Sequence, residues 1–153
     1  MKIGLDVSGG DFAPQATIDG ALLAKQALGN DVTIVLFGDE LVIQKELASR
    51  AQSAELFEIV HAPEVITYHD HPTRALPKKP NSSIAVGFEM LAKGLIDVLA
   101  SNGNTGAMLV GAMYKLNTIP GVIRPCITST LPTINDGKSV LLDVGSNADC
   151  KSD

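Results

Sequence analysis

A chain of 153 residues can bury a core of ordinary size without disulfides or a structural metal. With 45% hydrophobic residues but only 4% aromatic, that core must be built mainly from Ala, Val, Ile and Leu, a mixture that suits a buried parallel sheet flanked by helices. The formal net charge of -5 argues against a nucleic-acid backbone as a general partner, because such binding leans on clustered Lys and Arg.

Lys2 to Val7 is a short apolar run ending in Ser8-Gly9-Gly10, and Pro14 follows where the first turn of a helix accepts it. Strand, tight turn and helix are expected in that order. The helix carries Ile18, Ala21 and Leu22 on one face and stops at Gly29-Asn30, a left-handed cap signal. Val32 to Phe37 is the next β-favouring run, closed by Gly38-Asp39, which opens a second helix through Leu41, Ile43 and Leu47. Leu56 to Val60 reads as a third strand. From His61 to Pro80 the pattern fails: Pro63, Pro72, Pro77 and Pro80 argue against any helix, so a long exposed connection is expected. Asn81-Ser82-Ser83 then offers N-cap chemistry for a helix with Ile84, Phe88, Leu91 and Leu95 on one face and Gly94 to end it. Ile96 to Ser101 is another strand, Asn104 to Leu116 another helix, and residues 123–131 and 140–144 two further strands.

Strands alternating with helices imply a doubly wound α/β fold, with a mostly parallel sheet and helices on both faces. One domain, or one with a partial second, is the economical organisation. Ligands of such sheets lie beyond the carboxyl ends of the strands. The residues that follow each strand are Gly9-Gly10-Asp11, Gly38-Asp39, His61 to Glu64, Asn102 to Gly106, and Gly145 to Asp149. No apolar run approaches the roughly 18 residues of a membrane span, and the N-terminus lacks the layout of a signal peptide, so a cytoplasmic protein is expected. Cys126 and Cys150 match no metal or redox spacing and read as ordinary reduced cysteines.

The strongest local site is Ser101-Asn102-Gly103-Asn104-Thr105-Gly106, between a buried strand and a helix. Glycines let the backbone approach a ligand, and the free N–H groups of a first helical turn suit an oxyanion. The alternative is a helix N-cap that merely uses Asn104 or Thr105. The turn lacks the Gly-Lys-Ser/Thr ending of a nucleotide-binding loop. Asp6-Val7-Ser8-Gly9-Gly10-Asp11 completes no nucleotide signature either. Its two carboxylates, Asp6 and Asp11, would repel a phosphate, which leaves shaping the pocket, orienting a basic partner, or a plain tight turn. Pro77-Lys78-Lys79-Pro80 is expected to be a stiff, extended pair of cations that, with the donors of Ser82 and Ser83, makes a second anion site or a solvated loop. His69-Asp70-His71 has no third metal ligand at a diagnostic spacing and reads as surface loop. Asp143, inside an apolar run, must be paired or lie at the pocket, while Asn147 and Asp149 either line that pocket or bond their own turn.

Taken in order, these segments resemble the acyl-carrier-protein-dependent phosphate acyltransferases, the PlsX family. The resemblance is carried by Asp6 to Asp11, His61-Ala62-Pro63-Glu64-Val65-Ile66, Lys78-Lys79 followed by Ser82-Ser83, Gly103-Asn104-Thr105-Gly106-Ala107, Arg124-Pro125, and Leu141 to Cys150. The chain departs from the family pattern at Ser8, Phe12 and Asn102. Family members are considerably longer, so the chain is expected to be an N-terminal part with the C-terminal half absent. The resemblance implies a fold like that of isocitrate and isopropylmalate dehydrogenases and phosphotransacetylases, usually as a homodimer. It implies transfer of a fatty acyl group from acyl carrier protein to inorganic phosphate, without cofactor or metal, the acyl phosphate passing to a glycerol-3-phosphate acyltransferase. Peripheral membrane association would belong to the absent half. Under this reading Gly103, Asn104, Thr105, Gly106, Lys79, Ser82 and Ser83 hold phosphate, Asn104 and Lys79 are the catalytic candidates, and Asp6, Gly9, Gly10, Asp11, Asp143, Asn147 and Asp149 shape the pocket. The alternatives are a phosphotransacetylase-like enzyme using acyl coenzyme A and a non-catalytic binding or dimerisation module.

Overall fold

Residues 33–38 read Thr-Ile-Val-Leu-Phe-Gly, and a segment with so little polar surface is stable only where both of its faces are covered. In the computed structural model, which describes residues 1–122 and 125–145, they form strand β2 (Thr33–Gly38), and every residue after Thr33 is buried. It lies in a four-stranded sheet with β1 (Lys2–Asp6), β3 (Glu58–His61) and β4 (Val98–Ala100), in the order β3-β2-β1-β4. All three pairings are parallel, with Ile3 opposite both Ile34 and Val98, and Leu36 opposite Ile59.

The period-two alternation of β2 divides the core. Ile34 and Leu36 pack with Val7, Ile18, Ala21, Ile43 and Leu47, so helices α1 (Gln15–Leu28) and α2 (Glu40–Ser49) cover that face. Val35 and Phe37 pack with Ile96 and with Val86 and Met90 of α4 (Ser83–Ala92) on the opposite face. Two further helices, α3 (Pro72–Lys78) and α5 (Thr105–Lys115), join α4 through Ala75, Ile84, Phe88 and Ala107. The expected alternation of strands and helices, with helices on both faces of a parallel sheet, is therefore present in Met1–Leu116, one of the two units into which the chain divides.

Several local expectations are corrected. The segment His61 to Pro80 contains helix α3, because Pro72 occupies its first turn, where a missing N–H costs nothing, and Pro77 sits near its end. Ala62, Ile66 and Ala75 are buried, so the segment is anchored rather than an exposed connection. Leu95 falls beyond the end of α4 and is exposed, since the helix closes at Lys93 and Gly94 takes a positive φ of 67°.

The second unit, Asn117–Asp153, contains β5 (Thr128–Pro132) and β6 (Lys138–Leu142). They form a separate antiparallel pair, with Thr128 opposite Leu142 and Pro132 opposite Lys138, rather than a continuation of parallel pairing. The connection at residues 133–137 explains this: a parallel crossover needs about a dozen residues or more, a hairpin only a few. Asp143, expected within the last strand, follows it in a left-handed conformation (φ 59°), and its N–H donates to the Ile127 carbonyl. Left-handed backbone is one of the places where Asp is tolerated.

Candidate functional site

Chain direction reverses its course across the sheet between β1 and β4. The connections through α1 and α2 lead from β1 to β2 and β3 on one side, whereas α4 returns the chain to β4 on the other. A crevice forms at such a switch point, outside the carboxyl ends of the strands. Two loops meet there, one following Asp6 and one following Ala100. A Cβ added to Gly9 would stand 2.7 Å from the Gly103 nitrogen and 2.9 Å from its Cα, and would also collide with the Asp6 carboxylate. Only glycine permits that approach.

Asp6 ties the two loops together. Its side chain is 1% exposed, and Oδ1 accepts the Ser8 N–H (3.0 Å) while Oδ2 accepts the Ser101 hydroxyl (2.7 Å). Ser101 Oγ in turn accepts the Gly103 N–H at 2.9 Å. The Asp6 carboxylate is thus met by neutral donors, while Asp11 is exposed beyond Gly10, whose φ is 111°, and lines a small cavity beside that turn.

Asn104 caps α5. Its Oδ1 accepts the Ala107 N–H at 2.9 Å, and its Nδ2 donates to the Thr67 carbonyl (2.9 Å) and the Asp70 carbonyl (3.2 Å). The side chain, 6% exposed, is fully engaged. The backbone N–H groups of Asn104, Thr105 and Gly106 have no acceptor among the described residues, so this first turn keeps unspent donors at the positive end of the helix dipole.

The lysine pair is not an extended strap. Lys78 ends α3 and Lys79 caps it, because the chain stays helical through Pro77. Lys79 Nζ donates to Asp70 Oδ2 (2.6 Å) and to the Val65 carbonyl (2.8 Å). Asp70 Oδ2 also accepts the Thr67 N–H (2.7 Å) and the Thr67 hydroxyl (3.0 Å). The Lys79 hydrogen bond, followed by those two, holds the Asp70 carboxyl at about 2, below its ordinary 3.8. Ser82 caps α4: its hydroxyl donates to the Lys79 carbonyl (2.7 Å) and accepts the Ala85 N–H (3.3 Å). Ser83 is buried in the first turn of α4. A parallel bridge from Glu64 to Ser82 sets the start of α4 beside the segment that leaves β3, on the same rim as the α5 turn.

Thr67, Tyr68 and Asp70 were not among the residues picked out for a site, yet they join its parts. Tyr68 donates its hydroxyl to the Asn102 carbonyl at 3.0 Å and, with Gly9, Gly10, Phe12 and Asn102, lines a cavity of about 220 Å³. The signal available was Thr67-x-x-Asp70 just before Pro72, the spacing of a side-chain-bonded turn ahead of a helix. A second cleft of about 410 Å³ runs past Ser8, Pro14, Asp39, Val42 and Val65 at the ends of β1 to β3. A third, of about 480 Å³ and mostly apolar, lies between α3, α4 and the last turn of α5, at Leu76, Phe88 and Tyr114. Asp143 belongs to the second unit, and Asn147 and Asp149, like Arg124 and Cys150, lie outside the described residues. Among the described residues, no group of three or more His, Cys, Asp or Glu side chains is placed to hold a metal ion. No helix there is long and apolar enough to cross a membrane.

The chain is 46% identical over 151 residues to the phosphate acyltransferase of Desulforamulus reducens, an alignment covering 99% of this chain and 44% of that protein. It is 43% identical over 151 residues to that of Herpetosiphon aurantiacus (99% and 40%) and 42% identical over 152 residues to that of Caldicellulosiruptor bescii (99% and 45%). The chain therefore spans less than half the length of these relatives. A family model described as fatty acid synthesis protein matches residues 1–153. The match runs from end to end and agrees with the resemblance read from the sequence: the chain belongs to the fatty acid synthesis protein family.

Proposed function

We propose that the protein carrying this chain is a phosphate acyltransferase that moves a long-chain acyl group from acyl carrier protein to inorganic phosphate. The observation that carries the reading is the first turn of α5, where three N–H groups without acceptors, at Asn104, Thr105 and Gly106, stand beside the switch-point crevice. Such a turn suits a phosphate anion. The relatives named above supply the reaction class, and the names they carry extend to this chain as a proposal.

The chemistry asks little of side chains. A phosphate oxygen attacks the thioester carbonyl, a C–O bond forms, the C–S bond breaks, and the electron pair leaves with the carrier's sulfur. A thiol of pKa about 8.5 departs readily without a strong acid. The protein must hold phosphate, align it with the carbonyl and stabilise the developing oxyanion, and fixed backbone donors serve the last two tasks. Gly103 to Gly106 supply the anion turn, with Ser82, Ser83 and Lys79 on the neighbouring wall. Asp6, Gly9 and Gly10 keep the two loops close enough to form the crevice. In this reading the complete fold is a doubly wound sheet of the isocitrate dehydrogenase type and the enzyme is a homodimer. It works in the cytoplasm, with peripheral contact to the membrane through another part of the protein. Its acyl phosphate supplies a glycerol-3-phosphate acyltransferase.

Thr105→Pro tests the anion turn in the complete protein. Proline is accepted at the first helical position, and Asn104 before it is already extended (ψ 107°), so α5 is retained while one donor is deleted. The expected result is an unchanged melting temperature with a rate of acyl phosphate formation lowered on the order of 10²-fold at fixed phosphate. A wild-type rate and wild-type phosphate dependence would return the turn to a purely structural role.

A further inference from the structure

A lysine beside an anion site is ordinarily counted as a ligand, yet the Lys79 ammonium already has two oxygen partners, Asp70 Oδ2 and the Val65 carbonyl. To reach a bound phosphate it would have to leave both. Asp70 would then keep only the two donors of Thr67 on its carboxylate.

The same residue faces the other half of the site. The Asp70 and Thr67 carbonyls are the two acceptors of the Asn104 amide, whose Oδ1 caps α5 at Ala107. A continuous path of hydrogen bonds therefore runs from Lys79 through Asp70 and Thr67 to Asn104 and the α5 turn. Tyr68, between Thr67 and Asp70, extends it to Asn102 in the loop that precedes Asn104. The contacts link positions 34 and 37 residues apart in the chain, and they set the orientation of the side chain from which α5 starts.

We propose that Asp70 is a positioning residue of the anion turn: it anchors Lys79 within the wall, and through the 67–70 turn it holds Asn104 so that the free amides of α5 converge on one point. Lys79 acts through this frame and not as a phosphate ligand. The inference rests on the reading of the turn as a phosphate site. It differs in sign from the simpler view of Lys79 as a ligand. If Lys79 swung from Asp70 to phosphate, the carboxylate would compete with the substrate, and Asp70→Asn would tighten phosphate. If Asp70 positions the turn, the same substitution weakens it, because the amide oxygen that replaces Oδ2 carries no charge to hold the Lys79 ammonium in the wall.

The test measures initial rates of the complete protein against phosphate and, separately, against long-chain acyl-acyl carrier protein, with a thermal melt for each variant. Asp70→Asn and Lys79→Met are each expected to raise the half-saturating phosphate about tenfold while leaving that of the acyl donor unchanged. The double variant should be no worse than the poorer single one, as for residues acting through one network. Lys79→Arg, which can still pair with the carboxylate, should restore most of the phosphate affinity. A loss of fold alone would instead lower the melting temperature and the active fraction without this split between substrates. Unchanged or tighter phosphate in Asp70→Asn, or additive losses in the double variant, overturns the inference while leaving the phosphate site standing. A wild-type protein that makes no acyl phosphate overturns the functional reading and this inference with it. Should Asp70→Asn fail to fold, Asp70→Glu, which keeps the charge but displaces it by one methylene, decides by the same sign.

Discussion

Two apolar runs of similar character meet opposite fates in this chain. Ile34-Val35-Leu36-Phe37 in β2 is at most 4% exposed at each position, whereas Val140, Leu141 and Leu142 in β6 are 66%, 46% and 60% exposed. β-propensity does not separate them. The connections do: each parallel step between β1, β2, β3 and β4 brings a helix that then covers the sheet, while the short turn at residues 133–137 pairs β5 with β6 and brings no cover. Burial in the first unit is a product of topology, and within residues 117–145 the β5–β6 pair is joined by its own ladder and cross-strand neighbours.

The hardest test of that contrast is truncation of one residue on each side of it. Phe37→Ala should cost about 3–5 kcal/mol, enough to unfold much of a marginal domain, while Leu141→Ala should cost under about 1 kcal/mol. Urea denaturation followed by circular dichroism reads both, and comparable losses would refute the contrast. A smaller effect sharpens it at the loops. Gly9→Ala forces a methyl against the Gly103 backbone and the Asp6 carboxylate, neither of which can yield cheaply, and should cost about 1–3 kcal/mol. Gly137→Ala meets only the hydroxyl of Thr133, an exposed side chain with no backbone atom in the way, and should cost less, under about 1 kcal/mol. The smallest expected effect is on the acid limb. The Asp70 carboxyl titrates at about 2 in the folded protein against an ordinary 3.8, so its contribution is present above 3.8 and fades as pH falls toward 2. Denaturation midpoints of wild type and Asp70→Asn should therefore converge over that interval, and a gap that stays constant down to pH 2 contradicts the assignment.

The alternation of strands and helices was legible because glycine and N-cap residues punctuate it. Asp39, Ser82 and Asn104 each cap the helix that their position announces. Helix α3 was hidden by its prolines, since a proline-rich stretch reads as broken unless one asks where in the helix each proline falls. The candidate site was half legible. Local spacing marked Gly103 to Gly106 and the Ser82-Ser83 start, but the partners of Asn104 and Lys79 were beyond it. The bonds from Asn104 to residues 67 and 70 exist only because β3 and β4 deliver their loops to one rim, and no local window contains both ends. Lys79 looked like a free cation for the same reason: its carboxylate partner lies nine residues back, across the unanticipated helix α3.

The gathering of these loops on one side leaves the opposite side of the sheet for engineering. There the turns at Gly29 and Gly94 take positive φ values of 64° and 67°, and a side chain added at either would meet nothing within 4 Å. Exposed turn tips of this kind are where inserted sequence is best tolerated. An affinity tag or a fluorophore placed beside Asn30 or Lys93 would report on the chain from the edge that carries the amino ends of the strands, leaving the crevice between the Gly9 and Gly103 loops unobstructed.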